Sequence, residues 1–162
     1  MEVELEQTLI DRLVAKKPAS LLLISPEIPP GLASCLESAP EIGFEHTDFE
    51  SIEKSILPLG RYEFVVVADL LNRMDVDLAE QLVCMLRDLH ARVLWVMVPQ
   101  KMLLRYNHNN AIAQGMRMIS PKQFGSDEPQ WYEFSLESYK PVPQWLNAKN
   151  WANPERWDKE RW

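Results

Sequence analysis

Three uninterrupted apolar runs constrain this chain more than any other feature. Ser20-Leu-Leu-Leu-Ile24, Glu63-Phe-Val-Val-Val-Ala68 and Arg92–Val98 place apolar side chains at successive positions. Neighbouring side chains on a strand point to opposite faces, so a run without polar alternation is buried on both. Such strands belong inside a parallel sheet covered by helices on each side. Between the runs the period changes. Leu5, Leu9, Ile10, Leu13 and Val14 recur at helical spacing before Pro18. Leu32, Cys35, Leu36 and Ala39 form a second stripe, opened by Pro29-Pro30. Leu78, Leu82, Met85, Leu86 and Leu89 form a third, which an Asp77/Glu80 capping box would start. Strands that alternate with helices imply right-handed crossovers and parallel pairing.

The remaining elements are weaker. Ile42–His46 reads as a short strand ending at Thr47-Asp48, and Phe49, Ile52 and Ile56 as a short helix closed near Pro58 and Gly60. Asn107–Asn110 leads into a helix ending at Gly115, followed by strands at Met116–Ile119 and Trp131–Ser135. In the last of these Trp131, Glu133 and Ser135 alternate with Tyr132 and Phe134, the pattern of an antiparallel edge hairpin. The fold class expected is therefore α/β, a three-layer sandwich with a mostly parallel sheet and an antiparallel C-terminal hairpin. A chain of 162 residues makes one such domain, over residues 1–140, with a tryptophan-rich tail, 141–162, packed on it.

Composition excludes several classes. With 46% hydrophobic and 25% charged residues, wholesale disorder is excluded. A formal charge of −7 argues against a dedicated nucleic-acid surface. The apolar runs are strand-sized, far below membrane-spanning length. Glu2, Glu4 and Glu6 are the opposite of a secretory n-region, so the cytoplasm is the expected location. Cys35 and Cys84 lie in helix-like segments and make no disulfide framework; without a close Cys/His pair, no metal site is expected.

In an open parallel sheet the ligand crevice lies beyond the carboxyl ends of the strands. Those ends supply Ser25, Glu27, His46, Asp48, Asp69, Asn72 and Arg73 as the candidate crevice. The competing reading makes Asp48 and Asp69 turn or helix caps and pairs Arg73 with a nearby carboxylate. His46 borders the crevice as a possible base without a convincing nucleophile, His90 belongs at a helix C-terminus, and His108 in a solvated turn. No residue is assigned a catalytic role.

The stretch Tyr62-Glu-Phe-Val-Val-Val-Ala-Asp-Leu-Leu-Asn-Arg-Met74 resembles the fourth strand and following turn of class I S-adenosylmethionine (SAM) methyltransferases. Ala91-Arg-Val-Leu-Trp-Val-Met-Val-Pro99 is similar to their fifth strand, and Ala113–Ile119 and Trp131–Tyr139 to their closing strands. The resemblance covers Ser20 to Tyr139 and implies an abbreviated Rossmann-like sandwich with SAM as the cofactor. Members of that class cradle SAM in a glycine-rich loop after the first strand, because the cofactor presses against the backbone and takes its N–H groups. Here that loop is Ser25-Pro-Glu-Ile-Pro-Pro-Gly31, with one glycine, in last place, and three prolines that lack N–H donors. Only one strand, Ile42–His46, stands where the class has two. If it is the third, Asp48 matches the acidic residue near the adenine; the ribose-gripping carboxylate at the end of the second strand has no matched counterpart. Two functions follow: a non-catalytic binding or interaction module that has lost the cofactor loop, or a divergent SAM-dependent methyltransferase.

The tail concentrates Trp145, Trp151, Trp157 and Trp162, with five basic and three acidic residues between Lys140 and Trp162. Asn153 is placed to cap a last turn that Pro154 begins. The Trp-Ala-Asn-Pro-Glu-Arg-Trp157 run is similar to a small uncharacterised bacterial family. One reading folds the tail over the domain, burying the rings. The other makes Trp145, Trp151, Arg156, Trp157, Arg161 and Trp162 a docking surface for a protein partner or a second copy, since Trp and Arg anchor interfaces.

Overall fold

The computed structural model describes residues 3–48, 52, 60–68, 75–98, 108–119, 129–138, 153–156 and 159. Helix α1 (Val3–Lys16) precedes strand β1 (Ser20–Ile24), helix α2 (Pro30–Glu37) and strand β2 (Gly43–Thr47). Then come β3 (Tyr62–Val67), α3 (Val76–Met85), a π-helical turn (Leu86–His90) and β4 (Ala91–Val98). Helix α4 (His108–Ala113), the two-residue β5 (Arg117–Met118) and β6 (Gln130–Ser135) complete the domain. A 3-10 turn, Pro154–Arg156, starts behind Asn153, whose carbonyl accepts from Arg156 N at 3.1 Å.

The six strands lie in the order β2-β1-β3-β4-β6-β5, parallel from β2 to β4 and antiparallel in the last two pairings. Ile42–His46 thus pairs directly with the first strand, Leu21 opposite Phe44 and Ile24 opposite Thr47. In a doubly wound sheet the position beside the first strand belongs to the second. This settles the strand's place, and beyond it no further strand occurs among the described residues.

The sheet separates two cores. On one face α1 and α2 bring Leu9, Leu13 and Leu32 onto Leu21, Leu23, Phe64, Val66, Trp95 and Trp131. On the other, Ala79, Leu82, Val83, Leu86 and Ala111 cover Leu22, Ile24, Val65, Val67, Leu94, Val96 and Tyr132. Leu21 to Ile24 are all 0% exposed, each worth about 1.5–3 kcal/mol in removed apolar surface.

Three local expectations are corrected. Helix α3 begins two residues earlier than the Asp77/Glu80 pair suggests: Asp75 is the N-cap and accepts from Asp77 N at 3.1 Å. Its buried stripe is Ala79, Leu82, Val83 and Leu86, while Leu78 and Leu89 are each 48% exposed. The π-turn rotates Leu89 off the buried face. Finally, β6 is not an edge, and all six of its residues are buried. Its polar member Glu133 is retained by ion pairing across the domain.

Candidate functional site

At the carboxyl ends of the parallel strands, Ser25 and His46 meet. Strand pairing of β1 with β2 sets Ser25 N on Thr47 O at 3.1 Å, which brings the two strand ends level. His46 Nε2 lies 2.9 Å from the Ser25 carbonyl oxygen and 3.4 Å from its Oγ. A carbonyl oxygen only accepts, so Nε2 carries the proton and donates to it. The Ser25 hydroxyl in turn donates to Glu27 O at 2.6 Å. His46 therefore has no lone pair at Nε2 to take a proton from Ser25, and the pair is a strand-end brace rather than a nucleophile and its base. Glu27 and Asp48 are exposed beside it. Asp48 O accepts from Ile52 N at 3.1 Å, one helical turn on. Asp69, Asn72 and Arg73 lie outside the described residues, as do Trp145, Trp151, Trp157, Arg161 and Trp162 of the tail; Arg156 is exposed.

The loop after β1 has few donors to offer. Pro26, Pro29 and Pro30 have none, and Ala33 N closes the first turn of α2 on Pro29 O at 3.0 Å. Leu32 N donates to Glu6 Oε1 at 2.9 Å. This carboxylate comes from α1 and sits against the positive end of α2. It also fills the space above Gly31, where a Cβ would lie 2.7 Å from Glu6 Oε1. The one glycine of the loop thus makes room for a side chain of the same protein. Sequence reasoning missed this role for Glu6, since nothing local marks a residue 26 positions earlier as a cap. The SAM-binding loop that the fold implies is not matched by these residues: donors are missing and the opening is filled by a like charge to the cofactor's own carboxylate.

A second polar group sits at the carboxyl end of β4, where Gln130 is level with Val98. The buried Tyr132 hydroxyl donates to Gln130 Oε1 at 2.7 Å, and His108 Nδ1 lies 3.4 Å from it. Burial pushes the Tyr132 phenol up. His108 is half-buried against this ring, not the solvated turn residue its asparagine-rich surroundings suggest.

Among the described residues, the most heavily bonded carboxylate is Glu133. It accepts from Trp95 Nε1 at 2.8 Å, from Arg117 Nε at 3.0 Å, and from Arg12 of α1. The Arg12 guanidinium also stacks 5.2 Å from the centre of the Trp95 ring. Burial alone would raise the Glu133 pKa, but the hydrogen bonds from Trp95 and Arg117 and the charge of Arg12 outweigh it and hold it low. With every oxygen occupied, Glu133 is a structural anion.

A cavity of about 760 Å³ opens at the opposite end of the sheet, and Ser25, Glu27, His46 and Asp48 do not line it. Among the described residues no group of three His, Cys, Asp or Glu side chains is placed to hold a metal ion, and no helix is long and apolar enough to cross a membrane.

Comparison with solved structures places the fold among the class I SAM methyltransferases. The methyltransferase domain of bacterial CtHen1-CN matches with a TM-score of 0.51 at 11% identity, over 82% of this chain and 98% of that one. The CtHen1-C form gives 0.50 at 12%, over 81% and 96%. Magnesium protoporphyrin IX methyltransferase from Synechocystis PCC 6803, solved with bound SAH, gives 0.45 at 13%, over 80% and 81%. At these identities the likeness is one of fold. No curated protein matches the sequence. A family model matches residues 3–162, and the chain belongs to the Family of unknown function (DUF6231).

Proposed function

We propose that this chain is a methyltransferase-shaped scaffold that acts by binding a partner and does not transfer methyl groups. The observation that carries this reading is Glu6 on Leu32 N. In the resembled enzymes the start of the helix after the first strand faces the cofactor; here an internal carboxylate takes that donor and the space over Gly31. The three prolines of the loop support the same reading, as does the engagement of His46 Nε2 and Ser25 Oγ with backbone carbonyls. The partner we infer is a protein or a second copy of the chain, met by the tail through Trp145, Trp151, Arg156, Trp157, Arg161 and Trp162.

One observation favours the alternative, a divergent SAM-dependent methyltransferase. With Ile42–His46 in the second position, Asp48 follows that strand where the resembled enzymes carry the ribose-gripping carboxylate, and it is exposed. Calorimetric titration with SAM and with S-adenosylhomocysteine separates the two. The scaffold reading expects no binding up to millimolar ligand. Micromolar binding, about −8 kcal/mol, that disappears in Asp48→Ala would overturn it in favour of the enzyme.

A further inference from the structure

The cavity at the other end of the sheet has the makings of a ligand site that owes nothing to the methyltransferase frame. It lies at the amino ends of β3 and β4, where Tyr62 pairs with Ala91, and beside the carboxyl end of β6. Its volume, about 760 Å³, falls within the range of small-molecule pockets. One wall is the π-helical turn Leu86–His90. π-Turns are rare, and frequent at functional sites.

The lining joins apolar surface to charged side chains of both signs, Arg61, Arg87 and Arg92 with Glu63, Asp88 and Glu137. Leu89 and Leu136 are 48% and 57% exposed, and Phe134 lies behind them. Among the described residues, two arginines have guanidinium donors to spare. Arg61 uses Nε on Leu89 O at 3.2 Å, which fixes the side chain on the π-turn and leaves its terminal nitrogens available. Arg92 is exposed at the start of β4, and its backbone carbonyl accepts from Leu136 N at 3.1 Å, anchoring the two sides of the opening together. The carboxylates of the lining are partly engaged elsewhere: Glu63 accepts from Ala19 N at 2.8 Å, and Asp88 is paired with Arg87. Glu137 is the exposed exception. His90 stands in the wall, 5% exposed. Its Nδ1 donates to Gly60 O at 3.0 Å, and its buried Nε2 has no hydrogen-bond partner. With Nδ1 carrying the proton, Nε2 is an acceptor and takes no part in holding an anion; a hydroxyl or amide N–H on the ligand body would satisfy it.

From this combination we propose that the cavity binds a small organic anion, a carboxylate or phosphate carried on an aromatic or branched apolar body. Arg61 and Arg92 hold the anionic group, and Leu89, Leu136 and Phe134 receive the body. An arginine fork suits either anion, because its N–H groups donate in parallel to two oxygens. The site is at the far end of the sheet from Asp48, so it stands or falls independently of any SAM binding.

The test uses the full-length protein labelled with 15N and two probes of one shape, 2-naphthoate and the neutral 2-naphthamide. Amide shifts locate binding and titration gives affinity. The expected result is saturable binding of 2-naphthoate, with shifts concentrated in residues 60–63 and 86–92, and at least tenfold weaker binding of the amide. Arg61→Ala/Arg92→Ala should bring the carboxylate down to the level of the amide while leaving the circular dichroism spectrum unchanged, since both side chains are exposed. Equal affinity for the two probes in the native protein overturns the proposal, as does the absence of saturable shifts at millimolar probe, or shifts confined to the carboxyl ends of the strands. The comparison of probes needs no variant and so stands even if the double substitution disturbs folding.

Discussion

Replacing Glu133 by glutamine changes one oxygen to an amide nitrogen and leaves the volume nearly as it was. The carboxylate it removes joins α1, β4, β5 and β6 through Arg12, Trp95 and Arg117, in a place where its own side chain is fully buried. Glutamine has one oxygen for three donors, and its amide would point N–H groups at a guanidinium. Breaking a fully buried pair costs about 3–5 kcal/mol because a charge is stranded without a partner. Here the stranded arginines keep some water, with side chains 29% and 60% exposed for Arg12 and Arg117. The loss should therefore be smaller, about 2–3 kcal/mol, the scale of one hydrogen bond to a charged group plus its desolvation. For a domain of this size that lowers Tm by about 4–12 °C.

Urea unfolding of both proteins at several pH values reads this directly. The sign of the pH effect follows from the lowered pKa of Glu133 in the folded state. A carboxylate held low stabilises the fold above its unfolded value, near 4.3, and that contribution is lost as pH falls through the folded value. The gap between native and Glu133→Gln should accordingly be full at pH 7 and shrink in acid. A difference below about 0.5 kcal/mol at pH 7, or one that stays constant down to the acid limb, would show that the carboxylate's charge contributes nothing and refute the reasoning.

The other expectations are simpler. Glu6→Ala removes the acceptor for Leu32 N and the anion at the start of α2, and should destabilise by about 1 kcal/mol in thermal melts; an unchanged Tm would mean the contact is idle. Tyr62 is pushed up to about 12 by burial, by its hydrogen bond to Glu45 and by that residue's charge. Ultraviolet titration of the four tyrosines should show a high-pH component that loses one phenol in Tyr62→Phe while the raised Tyr132 remains, and four phenols titrating together near 10 would contradict it.

Much of the frame was readable because burial leaves a local mark. Leu21 to Ile24, Phe64 to Val67 and Leu94 to Val98 are apolar at every position, and each proved a strand buried on both faces. Cap positions were less readable, since Asp75 and Asp77 are two residues apart and either can cap; the backbone chose Asp75. Alternation in β6 was read as the mark of an antiparallel edge hairpin; the hairpin is there, yet β6 is its inner strand and Glu133 is on the α1 side, kept there by Arg12, 121 residues away in sequence. No window of sequence contains that pair. His90 was placed at a helix end, where it is; its burial was not legible, because the π-turn that buries it leaves no periodic signature.

The candidate crevice shows the same division. Ser25 and His46 came together because parallel pairing brings strand ends level, which topology alone dictates. What occupies the loop above them was invisible, for Glu6 belongs to a preceding helix and reaches α2 only after both pack on the sheet. That arrangement also sets what this loop would need in order to hold a cofactor. A glycine in place of Pro29 or Pro30 would add an N–H, but Glu6 would still hold Leu32 N and fill the space over Gly31. Removing Glu6 alone would open the space but leave the prolines without donors. Each change by itself destabilises or is without benefit, so the loop is closed by two independent features, and a single substitution that conferred SAM binding would show that only one of them matters.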